Sequence, residues 1–314
     1  MTTDTGVVVV MNPGSGGGKV GRFQLVERTG RYGATVRMTG PGQRAAWLAR
    51  QAVEDGAAML GVAGGDGTVS AVAAVAADAG LPLVVIPAGT RNHFARDLGL
   101  DIGDPARALE ALRDGEPARV DLGVVNSHAF VNNVSFGIYA EALLEPEYRE
   151  AKARTLAAIA PRYLEGQQWV DASVDAPGER IEYPQVVLVS NNAYHLGTPR
   201  YLGRRFTLAS GLLGAIVVKR PAGPPPPDLF ARLRRDLRRH ATTDSVETGI
   251  IAWAAAQVRL DGAAEHLPAG IDGEAATLRL PATCDIRPGA LQLLLPRQRP
   301  GVPEPYPRGR HATA

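Results

Sequence analysis

Cysteine is nearly absent from this 314-residue sequence: Cys284 stands alone, so no disulfide framework can form and the reduced cytoplasm is the expected setting. A Cys/His cluster is lacking as well. The six histidines are scattered without ligand spacing, which argues against a zinc site. Charge of one sign is missing too: 34 Lys+Arg stand against 32 Asp+Glu, a formal net charge of +2 with no large single-sign block. A nucleic-acid partner held by bulk electrostatics is therefore not expected. No uninterrupted apolar run approaches the roughly 20 residues of a membrane-spanning helix. The opening Met1-Thr2-Thr3-Asp4 starts no basic segment with an apolar core behind it, so a soluble protein is expected. What is present is 45% hydrophobic residues, over a length that buries one large core or two ordinary ones without metal or disulfide support.

From Val7 to about Gly123, short β-branched runs alternate with longer Ala-rich stretches, the pattern of βαβ units and a parallel sheet. The expected strands are Val7–Val10, Ala34–Met38, Met59–Ala63 and Leu83–Ile86, with helices over Gln43–Glu54 and Val69–Ala79. After Asp121 the texture changes. Ala129–Phe136 reads as a strand, Ala140–Leu164 as one or two helices, and Val186–Val189 and Gly214–Val218 as further strands between Pro-Gly, Asp-Gly and Ser-Gly turns. A mostly antiparallel second domain follows from that pattern, and its exposed edge strands could pair two copies into a homodimer. Pro224–Pro227 reads as a stiff polyproline segment. Asp228–His240 reads as a helix with Leu229, Phe230, Leu233 and Leu237 on one face and five Arg on the rest. Such a helix suits peripheral contact with an anionic membrane, at the inner face, or simply a core face backed by solvated arginines. Residues 297–314 read as a disordered tail.

Three Gly-rich turns carry the chemistry. Asn12-Pro13-Gly14-Ser15-Gly16-Gly17-Gly18-Lys19 follows the first strand and precedes a helical pattern, so its N–H groups can face an anion. It is not a Walker A loop: Pro13 stands where Gly is required and Val20 where Ser or Thr is required. Gly16-x-Gly18-x-x-Gly21 fits the dinucleotide fingerprint, but the second strand ends in Arg37-Met38-Thr39 without an acid for a ribose. Gly64-Gly65-Asp66-Gly67-Thr68 follows the third strand, with Thr68 as an N-cap before a helix at Val69. Asp66 beside phosphates makes chemical sense as a ligand of Mg²⁺ or of water. Pro87-Ala88-Gly89-Thr90-Arg91-Asn92 follows the fourth strand and supplies Thr90 and Asn92 as donors and Arg91 as a charge. Each could be a plain turn, but in an open α/β sheet all three fall on the edge where ligands bind.

Together these turns resemble the diacylglycerol kinase catalytic-domain family, which includes bacterial lipid kinases and sphingosine kinases. The resemblance extends through Val120-Asp121-Leu122-Gly123, Phe130-Val131-Asn132-Asn133, Ser135-Phe136-Gly137 and Ile271-Asp272-Gly273-Glu274. It implies an α/β N-terminal domain with a parallel sheet of the NAD kinase/diacylglycerol kinase type, and a C-terminal, mainly antiparallel β-sandwich domain. An active site in the cleft between the two is also implied. The boundaries are 1–125, with 290–296 returning to it, for the ATP-binding domain, and 126–289 for the substrate domain. ATP would be held by Asn12, Pro13, Gly14, Ser15 and Gly16, by Thr39, by Gly64, Gly65, Asp66, Gly67, Thr68 and Ser70, and by Thr90 and Asn92. Asp66 and Asp121 would serve Mg²⁺. Within Asp-Gly-Glu, a carboxylate is the expected proton acceptor for the substrate hydroxyl: Glu274, with Asp272 as the alternative. The implied activity is ATP- and Mg²⁺-dependent phosphorylation of a hydroxyl on diacylglycerol or a related lipid.

The sequence departs from the family's pattern at four points. His93 stands where Asp is common, removing one acid from the network around Asp66 and Asp121. Ser210 stands where the family carries an Asp of a structural Mg²⁺ site, so that site is not expected here. Ser70 replaces a frequent Asn and Tyr139 a frequent Asp. His93 and Ser210 keep open a nucleotide-binding regulatory module that has lost turnover. Nucleotide loops see only ATP and leave open a kinase of a sphingoid base or non-lipid alcohol, Gly-Gly-Asp-Gly is shared with NAD kinases, and the Arg-rich helix would suit a membrane-recruited scaffold.

Overall fold

The valine run at the start of the chain forms a strand buried from end to end, β1 (Val7–Met11), as expected for the middle of a parallel sheet covered on both faces. In the computed structural model, residues 6–40, 43–137, 140, 168–196, 203–219 and 249–299 are described. The segments 141–164 and 228–240, read above as helical, the polyproline run, Tyr139 and the tail from 300 lie outside the described residues. The chain divides into two compact units, Met1–Ala118 with Gln292–Ala314, and Arg119–Leu291.

The first unit continues through α1 (Lys19–Arg22), α2 (Leu25–Gly30), β2 (Thr35–Met38), α3 (Ala45–Glu54), β3 (Met59–Gly64), α4 (Asp66–Ala79), β4 (Leu83–Pro87), α5 (His93–Asp97), a 3-10 segment (Pro105–Glu110) and α6 (Ala111–Asp114). The strands lie in the order β2-β1-β3-β4 and all run parallel, with Val8 beside Thr35 and Leu60, and Leu60 beside Leu83. Leu293 extends the sheet past Leu83, again in parallel. Val9, Ala63, Val84 and Ile86 lie in one core cluster with Leu109 and Leu112.

Two helix starts differ from the sequence reading. α3 begins at Ala45, two residues later than expected, with Arg44 as an extended N-cap. α4 begins at Asp66, three residues earlier, so Thr68 lies inside the first turn rather than capping it. Gly65 takes the N-cap place with φ −83° and ψ 177°, and the acidic Asp66 sits in the first turn, where the helix dipole favours negative charge.

The second unit contains β5 (Glu116–Val125), β6 (His128–Phe130), β7 (Asn133–Gly137), β8 (Ser173–Ala176), β9 (Glu179–Glu182), β10 (Val186–Asn191), β11 (Leu213–Val218), β12 (Ile250–Ala255), β13 (Gln257–Asp261), β14 (His266–Ile271), β15 (Glu274–Arg279) and β16 (Ala282–Leu295). β5 starts in the first unit and β16 ends there. One antiparallel sheet has the order β12-β11-β10-β7-β14-β15, and β16-β13-β8-β9 forms another antiparallel set. One core cluster draws Phe136, Val189, Leu213 and Leu278 from the first set and Val174, Leu260 and Cys284 from the second, which makes the unit a β-sandwich. Burial pushes the Cys284 thiol pKa up, with Asp285 adding to it, so this sulfur is a small core hydrophobe rather than a nucleophile. The expected strand over 129–136 is two strands, interrupted at Val131 and Asn132, whose N–H groups turn to a side chain instead of a ladder.

Candidate active site

The three turns of the first unit are stacked on one another at the C-terminal edge of its parallel strands. Asn12 anchors the first: its N–H donates to Ala63 O at 2.8 Å, its Nδ2 donates to Thr68 Oγ1 at 3.3 Å, and its Oδ1 accepts from Gly14 N at 3.1 Å. Ser15 N closes the same turn on Asn12 O at 3.2 Å. Gly16 is left-handed (φ 57°), and a Cβ there would sit 2.3 Å from Ala88 O, so the first turn lies directly on the third. A Cβ on Gly89 would sit 2.3 Å from Gly65 Cα, which joins the third turn to the second. Thr39 N donates to Met11 O at 2.9 Å and fixes the end of β2 beside the first turn.

At the centre of this stack lies the N-terminus of α4. Gly65 offers no side-chain cap, and the first N–H groups of a helix have no intrahelical acceptor, so the end is suited to an anion. The Asp66 carboxylate, 9% exposed, accepts from His93 N at 3.1 Å and Phe94 N at 3.2 Å, and so holds the start of α5. His93 Nδ1 is 3.9 Å from Asp66 Oδ2. Burial pushes the His93 pKa down, Asp66 pulls it up, and Arg96 and Arg91 add to the fall. The neutral imidazole is therefore favoured next to the carboxylate.

Other residues of the loops have defined places. Asn92, 3% exposed and left-handed (φ 52°), accepts from Gly89 N at 2.8 Å and donates to Gly89 O at 2.9 Å and Pro87 O at 3.3 Å. Its side chain builds the third turn rather than reaching outward, whereas Thr90 is exposed. Pro13 and Gly14 are exposed, Gly64 is buried against Thr68, Gly67 lies in the first turn of α4, and Ser70 is buried. Lys19 Nζ donates to Ile102 O at 3.1 Å, and burial lowers its pKa, with Arg22 adding to the effect. It is thus directed to a backbone carbonyl, in keeping with the failed Walker A pattern.

In the second unit, Asp272-Gly273 forms the two-residue loop of the β14–β15 hairpin, with φ of 49° and 83°. The Asp272 carboxylate accepts from Val131 N at 2.8 Å, Asn132 N at 2.8 Å and Asn133 N at 3.0 Å. Glu274, two residues on, is exposed and pairs with Ile271 in the β14–β15 ladder, but its carboxylate makes no hydrogen bond or ion pair with the described residues. The alternatives left open by the sequence are therefore in different situations: Asp272 shapes the loop, and Glu274 presents a free carboxylate. Asp121, 2% exposed, accepts from Gly211 N at 2.7 Å and Gly289 N at 2.8 Å. Both its oxygens bind the backbone. Among the described residues no group of three or more His, Cys, Asp or Glu is placed to hold a metal ion.

Around that hairpin the structure assembles residues that no motif had marked. Arg205, 5% exposed, donates to Val131 O at 2.6 Å, Asn191 O at 2.8 Å and Asn132 Oδ1 at 2.7 Å, and lies 5.7 Å from the Tyr194 ring. Tyr194 OH accepts from Asn133 Nδ2 at 2.9 Å. Asn191 Nδ2 donates to Asp121 O at 2.9 Å, and Ser210 N and Oγ both donate to Asn192 Oδ1, at 2.8 and 2.6 Å. These partners come from segments far apart in the chain, and no local spacing links them.

Known proteins resemble this chain in sequence and in fold. The diacylglycerol kinase catalytic domain matches residues 6–125. A protein of Pseudomonas aeruginosa strain UCBPP-PA14 named "probable lipid kinase YegS-like" is 28% identical over 310 residues, covering 97% of this chain and 99% of the relative. The diacylglycerol kinase of Staphylococcus carnosus strain TM300 is 33% identical over 138 residues, 43% of each chain. The crystal structure of a diacylglycerol kinase from Bacillus anthracis strain Sterne shares the fold, with a TM-score of 0.63 at 18% identity, covering 92% of this chain and 96% of that one.

Proposed function

We propose, from the match of residues 6–125 to the diacylglycerol kinase catalytic domain, that the protein transfers the γ-phosphoryl group of ATP to a hydroxyl of diacylglycerol or a related lipid. The observation that carries the reading is the stack of three turns around the N-terminus of α4, which has no side-chain cap. Phosphoryl transfer depends on positioning and charge neutralisation more than on covalent catalysis, and backbone N–H groups at a helix start supply both for a polyphosphate. The names carried by its relatives support a lipid as acceptor.

In this reading Asn12, Ser15 and Gly16, with Gly65, Gly67 and Thr68, cradle the phosphates, and Thr39 and Thr90 line the approach. When bound with the nucleotide, Mg²⁺ would supply charge neutralisation for the transferred group. Asp66 fits it through bound water, since each carboxylate oxygen already accepts a backbone N–H and Mg²⁺ commonly keeps several waters. Asp121 fits it poorly, being buried with both oxygens on backbone amides. Glu274 takes the proton as the lipid oxygen attacks the γ-phosphorus, the bond to the β-phosphate oxygen breaks, and ADP leaves.

Incubation with γ-labelled ATP, Mg²⁺ and detergent-dispersed diacylglycerol is expected to give labelled phosphatidate. Glu274→Gln should lower the rate by on the order of 10²–10⁴-fold, the usual scale of general-base help. Undiminished labelling by Glu274→Gln would remove Glu274 from the chemistry. Label appearing only in a sphingoid base or a soluble alcohol would keep the kinase and replace its acceptor.

A further inference from the structure

A cavity rimmed by basic residues lies in the first unit, away from the three turns. Arg28, Arg31 and Arg113, with Tyr32, rim a cavity of about 640 Å³ whose remaining lining is Ala106, Leu109 and Leu112. Arg31 and Tyr32 lie between α2 and the start of β2, which runs parallel to β1, and so fall at the end of that strand opposite Thr39 and the nucleotide turns. The cavity is therefore a separate feature of the same unit.

Its lining is of two kinds. Leu109 and Leu112 belong to the unit's core and are 1% and 9% exposed, which gives the cavity an apolar floor. Above it stand three guanidiniums. Arg28 and Arg31 form no ion pair with the described residues. Arg113 has only Asp114, at 3.8 Å, and that pair is weak because its side chains are 71% and 46% exposed. Arg113 lies 5.9 Å from the Tyr32 ring, a cation–π contact that holds it at the rim. Concave surfaces lined by one sign of charge concentrate counter-ions, and guanidiniums suit the planar, paired oxygens of phosphate.

We propose that this cavity binds a phosphate monoester, with the guanidiniums on the phosphate and the floor on an apolar stem. The ligand class follows from the cavity alone. Its identification with the lipid phosphate released at the active site, which would make this a product-sensing site, rests on the kinase reading. A soluble phosphate offers the same headgroup chemistry without the stem.

Calorimetric titration of the full chain separates these sources without turnover. The probes are monomeric dihexanoyl phosphatidate, inorganic phosphate, and dihexanoyl phosphatidylcholine as a carrier of the same chains. Phosphatidate is expected to bind the wild type, and Arg31→Gln/Arg113→Gln to weaken it at least tenfold with the melting temperature unchanged. Arg28→Gln/Arg113→Gln repeats the test should the first pair fail to fold. Displacement of phosphatidate by inorganic phosphate, lost in the same variants, supports the site with a soluble source. Equal binding of phosphatidylcholine, unchanged affinity in both variants, or no binding of either anion overturns the proposal. The variants leave every proposed nucleotide contact and Glu274 in place, so failure here is distinct from failure of the kinase reading.

Discussion

At the scale of single residues, Asp272 and Glu274 are two positions apart and differ in what they touch. Removing the Asp272 carboxylate leaves three backbone N–H groups, of Val131, Asn132 and Asn133, without their acceptor. Val131 and Asn132 are 0% and 2% exposed, so water cannot readily replace it. Leaving one buried donor unpaired costs about 1–3 kcal/mol, and Asp272→Ala should lower stability by at least that much. Glu274→Gln removes no such bond and should leave stability within about 0.5 kcal/mol of wild type. Urea denaturation of the two variants checks the contrast; equal losses would mean that Glu274 too is structural. The Asp-Gly-Glu spacing was readable in the sequence. The division of roles was not, because a carboxylate's partners lie 139 to 141 residues away.

The same limit appears among the elements. Runs such as Val7–Val10 and Leu83–Ile86 were legible because a strand buried on both faces reads as continuous hydrophobics. The start of α4 was misread because Thr68 is a good capping residue by type, while the cap is Gly65, whose place is set by contact with Gly89 across the turns. The break between β6 and β7 was invisible for the same reason: nothing local in Val131-Asn132 says that Asp272 will take their N–H groups. Likewise Arg205 sits in no motif, and its carbonyl partners at 131 and 191 cannot be read from composition. The turn stack itself yields a prediction. Gly89→Ala places a Cβ 2.3 Å from Gly65 Cα and 2.9 Å from Gly65 N, both backbone atoms that cannot rotate away. Overpacking of this kind costs about 1–3 kcal/mol, and it must push the second and third turns apart. Equilibrium dialysis with ATP should therefore show at least tenfold weaker binding while the far-UV spectrum stays native. Unchanged ATP affinity would disconnect the turns from the nucleotide.

For the whole molecule, the decisive feature is that the first unit is not contiguous. Its residues up to Ala118 are joined by those from Gln292, brought back by the last four residues of β16. A composition shift after Asp121 was visible in the sequence, as was the apolar run over 290–295, but the return itself came from the family resemblance, since a hydrophobic strand does not name its neighbour. The structure gives that neighbour: Leu293 pairs with Leu83, and Gln292 Nε2 donates to Gly80 O at 3.3 Å. Leu291, Leu293 and Leu295 are 0%, 1% and 4% exposed. Leu293→Ala removes a fully buried side chain next to β4, which ends at Pro87, where the third nucleotide turn begins. Such a truncation costs about 2–5 kcal/mol. Although the mutation lies beyond residue 290, its effect should fall on the first unit. Amide exchange should accelerate over 83–87, more than over the β-sandwich strands 186–191 and 213–218, and bound ATP should restore protection because a ligand stabilises the state it binds. Faster exchange confined to the β-sandwich strands would show that the last strand supports the second unit alone, and ATP would then offer no rescue.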